Sequence, residues 1–290
     1  MASHERDSET GVETTGHEWD GIRELNKPLP KWWLYVFYAT IVWAIGYWLL
    51  MPAWPLVASY TKGFLGYSQR QKVAGQIEAA KAAKAEYRDK IAQSDLATIN
   101  EDPELLRFAL AGGEATFGDN CASCHGRGAQ GAFGYPNLRD DSWLWGGTLD
   151  DIQRTILHGI RADDPKTRGA GTQMPGFGQT GVLTEPQIGD VSEYVLSLSG
   201  RTEDQEAAAR GAQTFVATCA PCHGPQGKGD PALGTPDLTD ELWLYGGHKA
   251  TVASSIRVGR AGVMPAWAHR LDSETIKELA IYVHSLGGGQ

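Results

Sequence analysis

The chain of 290 residues contains four cysteines, and all four fall in two short runs, Cys121-Ala122-Ser123-Cys124-His125 and Cys219-Ala220-Pro221-Cys222-His223. A C-x-x-C-H run suits covalent haem c: two thiols add to the porphyrin's vinyl groups, and the imidazole that follows reaches the iron. The same cysteines could instead form two local disulfides, or one four-thiolate zinc site built from both pairs. Neither alternative requires a histidine directly after each pair. The spacing therefore points to two haems, bound through Cys121, Cys124, Cys219 and Cys222, with His125 and His223 as axial ligands.

An iron that only carries electrons needs a second axial ligand, whereas one that binds oxygen or peroxide keeps that position open. Of the four methionines, Met1 starts the chain and Met51 closes a long apolar run. Met174 and Met264 each follow a haem motif and precede a proline. A thioether is a weak, neutral donor that favours ferrous iron, so these two are the expected sixth ligands; the alternative is Met as core filler. The simplest pairing joins Met174 to the haem of His125 and Met264 to that of His223, since each half then closes its own site. Crossed ligation between adjacent domains remains the other solution. The remaining histidines (His4, His17, His158, His248, His269, His284) show no pairing that suggests a metal site. With no nucleophile triad, phosphate loop or paired acid-base carboxylates, no catalytic site of the chain's own is expected.

The elements that position these groups repeat. Gly113-x-x-x-Phe117-x-x-x-Cys121 matches Gly211-x-x-x-Phe215-x-x-x-Cys219, so a helix leads into each motif with the same face. Pro136-Asn137-Leu138 and Pro236-Asp237-Leu238 follow, then Trp143-Leu144-Trp145-Gly146-Gly147 and Trp243-Leu244-Tyr245-Gly246-Gly247. Each half closes on a helix with matching apolar positions: Ile188, Val191, Tyr194, Val195 and Leu198 against Ile276, Leu279, Tyr282, Val283 and Leu286, capped by Thr184 and Asp272. Partner positions lie 98 apart at the cysteines, 100 at Trp-Gly-Gly, 90 at Met-Pro and 88 in the last helix. The first half therefore carries an extra loop near Ala162 to Gly171, read as a tolerated surface insertion.

A length of 290 residues suits about two domains plus an anchor, at ~150 residues per domain. The net charge of -9 divides as -2 over residues 1–102, -5 over 103–200 and -2 over 201–290. The missing basic face argues against a nucleic-acid partner. The polar, acidic first thirty residues are no cleavable signal peptide. Trp32 to Met51, WWLYVFYATIVWAIGYWLLM, has no charge and matches the ~20 apolar residues needed to cross a bilayer. Trp32, Trp33, Trp48 and Trp54 sit near its ends, and Arg23, Lys27 and Lys31 flank its entrance, which places the N-terminus inside. Seven Lys and Arg between Lys62 and Lys90 argue the other way, but only Lys62 lies close to the exit. Residues 70–92 suit an exposed spacer helix, Ser94 to Asp102 a hinge or loop, and Asp102-Pro103 a helix start.

The expected organisation is a cytoplasmic tail (1–31), a transmembrane helix (32–54), a helical linker (55–102) and two repeated domains (103–200 and 201–290). Each repeat resembles a class I cytochrome c domain, so the fold class is all-α: one N-terminal transmembrane helix followed by two tandem class I cytochrome c domains. In such domains a carbonyl after the haem motif holds the proximal imidazole's Nδ1–H, a role the resemblance assigns to Pro136 and Pro236. The N-terminal His17-Glu18-Trp19-Asp20-Gly21-Ile22, then Asn26-Lys27-Pro28-Leu29-Pro30-Lys31-Trp32-Trp33 and one span, is similar to the CcoP/FixP dihaem subunits of cbb3-type cytochrome c oxidase. The resemblance covers nearly the whole chain. It implies two covalently bound haem c and a place in the bacterial inner membrane, with the haem domains periplasmic. It also implies electron transfer from a donor cytochrome c to a monohaem cytochrome c subunit and the catalytic haem-copper subunit of a proton-pumping oxidase. The competing readings are the dihaem subunit of a membrane dehydrogenase and a dihaem peroxidase.

Overall fold

A computed structural model of the chain describes residues 5–288, so Met1 and His4 lie outside the described part. The chain divides into two compact units between Ala83 and Lys84.

In the first unit, strands β1 (Thr14–Trp19) and β2 (Ile22–Leu25) pair antiparallel, Trp19 opposite Ile22. Asp20 and Gly21 join them with φ of 49° and 85°, the positive values of a two-residue hairpin turn. This ribbon is the one departure from an all-α chain among the described residues. Its Asp-Gly signal was present in the sequence, but its strands have almost no buried face to give an alternating pattern. Helix α1 (Lys31–Leu50) follows, apolar around its whole circumference and with no buried residue. Such a helix hides its apolar surface only in lipid or against other apolar chains. It is the one described helix long and apolar enough to cross a membrane. Helix α2 (Gln69–Gln93) runs across the division between the units and carries exposed pairs such as Lys81–Glu78 at 2.9 Å.

The second unit is helical: α3 (Leu96–Glu101), α4 (Pro103–Asn120), α5 (Ala122–His125), α6 (Leu149–His158), α7 (Glu185–Leu198), α8 (Gln205–Thr214), a π-helical turn (Phe215–Cys219), α9 (Ala220–His223), α10 (Lys249–Val258) and α11 (Ser273–Ser285). The starts are set by side chains that satisfy orphan amides. Asp102 accepts from the amides of Glu104 and Leu105 at 2.8 and 3.1 Å. Asp272 accepts from Thr275 at 2.8 Å, and the Thr184 amide donates to Gln187 Oε1 at 2.9 Å.

Two cores result, and they do not follow the two sequence repeats. Helix α11 packs on α4 and α6, and α7 packs on α8 and α10. The first core joins Leu105, Ala109 and Phe117 of α4 and Ile152 and Ile156 of α6 to Ile276, Leu279, Ala280 and Val283 of α11. The second joins Ile188, Val191 and Val195 of α7 to Phe215, Cys219, Val252 and Ile256. Each crossing depends on a glycine that lets the backbones meet. Gly113 lies against the backbone of Glu278, and Gly211 against that of Asp190. The chain thus starts one module, builds the second between Met174 and Arg260, and returns to close the first. The ranges 103–200 and 201–290 delimit the sequence repeat, whereas packing exchanges their closing segments.

The stretch expected as a hinge, Ser94 to Asp102, is instead mostly α3. Asp95 caps it by accepting from Thr98 at 2.8 Å, and Leu96 and Ile99 are buried in the first core beside Ile91 of α2. Tyr87 stacks on Phe108 at 5.0 Å, and Lys277 donates to the carbonyls of Ile91, Ala92 and Ser94 at 2.7–3.0 Å. Three apolar residues in a short polar stretch are too few to show a period, which is why this docking was not visible in the sequence.

Candidate haem sites

The two C-x-x-C-H runs adopt the same local structure. Each occupies a one-turn helix, α5 or α9, directly after its leading helix, so both sulfurs and the imidazole lie on one turn. Gly126 and Gly224 end those turns with φ of 79° and 76°. The chain then returns to place a proline carbonyl beside each ring: His125 Nδ1 lies 3.0 Å from Pro136 O, and His223 Nδ1 lies 3.2 Å from Pro236 O. A carbonyl can only accept, so Nδ1 carries the proton and Nε2 keeps its lone pair for iron. Burial holds both imidazoles below the ordinary histidine range, opposed by the carbonyl bond, and the neutral form is the ligand form.

Cys121 and Cys219 are pushed up to about 11, by burial first and by Cys124 or Cys222 second. Cys124 and Cys222 lie exposed beside them. All four are free of disulfides. The two pairs belong to separate cores, and no cluster of three or more His, Cys, Asp or Glu able to hold a metal occurs among the described residues. The single zinc site is therefore not assembled, and the donor set fits two haems, one at each run.

The methionines are where the exchange of segments matters. Met264 packs against the core containing Phe117, Cys121 and Ala122. Met174 packs against the core containing Phe215, Cys219 and Ala220. The backbone agrees: Met264 pairs with Ile160 at the end of α6 (amide to carbonyl 2.9 and 3.0 Å), and Met174 pairs with Arg260 at the end of α10 (2.9 and 3.0 Å). The residues after each methionine continue the pattern. Trp267 donates to Ile156, and Phe177 to Ile256, both at 3.0 Å. The structure thus brings Met264 to the module of His125 and Met174 to the module of His223, opposite to the simplest expectation.

Between the modules lie residues whose repeat was visible but whose role was not. The Trp145 ring lies against Gly234 in the loop after the second motif, and Tyr245 faces Gly134 in the loop after the first. Gly134 donates to Leu244 at 2.8 Å, and Phe133 meets Tyr245 edge-on at 6.1 Å. Arg161 stands over Trp145 and Arg260 over Tyr245, at 5.9 and 4.2 Å. The available signal was a large aromatic beside Gly-Gly in both halves, in a loop with little apolar pattern of its own. The extra loop is likewise built in. Arg168 is buried, paired with Asp151 at 2.5 Å and bonded to the Trp145 carbonyl, while His158 contacts Asp164 at 3.1 Å. His17 lies in β1, and His248 stands at the N-cap position of α10 without a side-chain cap bond.

Comparison with known families matches residues 11–58 to the N-terminal domain of cytochrome oxidase-cbb3, FixP. Residues 110–199 match cytochrome c, and residues 206–283 match cytochrome c oxidase, cbb3-type, subunit III. The chain is 55% identical over 295 residues to the cbb3-type cytochrome c oxidase subunit CcoP of Azospirillum brasilense, covering 100% of both chains. It is 53% identical over 292 residues to subunit FixP of Bradyrhizobium sp. (strain ORS 278), again covering 100% of both. It is 50% identical over 278 residues to CcoP of Cereibacter sphaeroides, covering 96% of this chain and 95% of that one.

Proposed function

The chain belongs to the CcoP/FixP family of cbb3-type cytochrome c oxidase subunits, and from that premise we propose that it is the oxidase's membrane-anchored two-haem electron carrier. It takes electrons from a donor cytochrome c and delivers them to the monohaem subunit and the haem-copper centre of the catalytic subunit. The observation that carries this reading is that each C-x-x-C-H run shares one packed core with one Met-Pro loop. Bound at both runs, haem c supplies reversible one-electron iron chemistry.

The residues divide the work. Cys121 and Cys124 hold one haem and Cys219 and Cys222 the other. His125 and Met264 would ligate the iron of the first haem, and His223 and Met174 that of the second. What supports the crossed pairing is the seating of each methionine on the α6 or α10 end of that module. Pro136 and Pro236 fix the tautomer of each imidazole. With two protein ligands at each iron, the protein would carry electrons and leave oxygen chemistry to the catalytic subunit. Helix α1 crosses the inner membrane. Arg23, Lys27 and Lys31 at its entrance support a cytoplasmic N-terminus and periplasmic haem modules.

Extraction in mild detergent tests the assignment. The chain is expected to co-purify with a haem-copper subunit, and its haems to be reduced by a donor cytochrome c and reoxidised by oxygen only in that complex. Fast binding of CO or cyanide by the isolated haem-loaded chain would contradict two closed sites and favour a peroxidase.

A further inference from the structure

After α1 ends, the chain folds back on the helix it has just left. Phe64 and Leu65 donate their amides to the carbonyls of Leu49 and Leu50 at 2.9 and 3.0 Å, and Met51 donates to Tyr47 at 2.8 Å. The last carbonyls of a helix have no partner within it, and in a membrane each orphan costs several kcal/mol. Here the returning loop supplies the donors. The loop is closed on itself as well: Thr61 donates to Trp54 and Leu56 to Ser59, at 2.9 and 2.6 Å, and Thr61 Oγ1 accepts from the Trp54 amide at 3.0 Å. Pro52 and Pro55 bring no amide that would need a partner. Gly63 makes the return possible, with φ of 66° and its Cα so near the helix end that a side chain would meet the Met51 nitrogen at 2.6 Å.

The outer surface of this compact loop is the unusual part. Leu56, Val57, Phe64 and Leu65 are exposed, Phe64 at 85%, and Trp54 and Tyr60 lie among them at 51% and 49%. Between Met51 and Gln69 the sole charged residue is Lys62. In water such a surface would be a liability. Beside a membrane span, with its backbone polar groups satisfied and aromatic rings in place, it has the composition of a segment that lies in the bilayer interface.

We propose that residues 52–66 form an interfacial foot, seated in the headgroup and upper acyl region of the bilayer that α1 crosses, with Leu56, Val57, Phe64 and Leu65 in contact with lipid. The occupant follows from continuity with α1, from the lack of any acidic side chain in the loop, and from Trp54, which stacks edge-on to Trp48 of the span at 4.8 Å. Lys62 reaches the headgroups on its aliphatic stem. The foot fixes where along its length α1 sits in the membrane.

The proposal rests on α1 being a membrane span, and one experiment separates the two. The full-length, haem-loaded chain has its native cysteines in thioethers, so an introduced cysteine is its only reactive thiol. Val57→Cys, Phe64→Cys, Val42→Cys (mid-span) and Lys81→Cys (exposed on α2) are labelled with NBD. They are then reconstituted in phosphatidylcholine–phosphatidylglycerol vesicles carrying nitroxide lipids, shallow or deep. The expected result is quenching by the shallow nitroxide at positions 57 and 64 to about the extent that the deep nitroxide quenches position 42, with iodide quenching roughly threefold below that at position 81. Iodide access at 57 and 64 equal to that at 81, with 42 still quenched by lipid, overturns the foot and leaves the span standing. Labels at 57 and 64 that neither quencher reaches overturn it in favour of a protein-covered loop. Iodide access at position 42 overturns the span and the foot together.

Discussion

Glu278 should make the first haem module less stable as pH rises, and replacing it with glutamine should remove that dependence. The carboxylate sits on α11, 4% exposed, pressed against the glycine pair of α4. Its Oε1 has no hydrogen-bond partner, and the nearest cation, Arg88, is 3.9 Å away and already paired with Asp272 at 2.8 Å. Burial pushes the group from the ordinary 4.5 up to about 7, with Arg88 pulling it down only in part. Between those values the folded protein keeps a proton that the unfolded chain has released. Stability is therefore fully present below about pH 4.5, falls across the window and is flat above about pH 7. A rise of about 2.5 units at 1.36 kcal/mol each amounts to roughly 3 kcal/mol. Glu278→Gln keeps the shape without the charge. It should match the parent near pH 4 and exceed it by up to about 3 kcal/mol at pH 8, the upper figure holding if no water enters. Urea unfolding of the haem-loaded chain in detergent at pH 4, 5.5, 7 and 8, followed by circular dichroism, measures the difference. A gap that is constant with pH, or a variant weaker than the parent at pH 8, would refute an unpaired buried carboxyl. Glu193, equally buried on α7, shows what pairing does: burial pushes it up, but Lys249 at 2.7 Å, Thr202 and the amides of Glu203 and Asp204 outweigh that and hold it at about 2.

Met264→Ala should lower the potential of the haem at His125 and open its iron to CO, and Met174→Ala should do the same at His223, with covalent attachment intact in both. Resolving the two haems by redox titration of each variant decides the pairing, and the uncrossed pattern would refute it. Gly113→Ala places a methyl 2.5 Å from Tyr282 Cβ and against the Glu278 carbonyl, and Gly211→Ala places one 2.5 Å from the Asp190 carbonyl carbon. Overpacking at the upper end of about 1–3 kcal/mol, because each methyl meets backbone rather than a flexible side chain, less the ~1 kcal/mol that alanine gains in a helix, should leave each variant destabilised by about 2 kcal/mol. Unchanged urea midpoints would show that the helices do not cross there.

The parts of the sites that lie on one turn were legible because their chemistry is local. Cys121 to His125 stand out as a candidate haem run, and Met174 and Met264 as candidate ligands, by residue type and spacing alone. The helix caps at Asp102 and Asp272 follow from the same local rules. The partner of each methionine was not legible, and the repeat itself is the reason. Helices α7 and α11 present the same apolar face, and Gly113 and Gly211 offer the same crossing, so either closing helix suits either leading helix by pattern. Pairing was then settled by what differs between the halves. Arg210 on α8 meets Asp190 of α7 in a two-pronged bond at 2.8 and 3.0 Å. In α4 the position equivalent to Arg210 is Gly112, which makes room for the Glu278 carboxyl. Arg88 and Lys277 then tie α11 to the end of α2. These are long-range charge contacts, and a single sequence read by period and propensity carries no record of them. The hairpin at Asp20-Gly21 was missed for a different reason, since its strands bury almost nothing and so show no alternation.

The exchange changes what kind of object the two haem sites are. Were each half closed on itself, the modules would be joined by one linker, and their separation could vary as that linker flexed. Here the chain crosses from the first module to the second after Ile160 and back after Arg260. The crossing segments are bonded to each other, with Arg161 donating to the carbonyls of Gly262 and Thr172 at 2.8 and 3.3 Å. The first module is closed by Met264 and α11, which follow the whole of the second module in the chain. Trp145 and Tyr245 then lock each module to the loop that follows the other's haem motif. Both methionines and both C-x-x-C-H runs are therefore held by one interlocked set of segments, so the separation of the two candidate sites does not rest on a single linker.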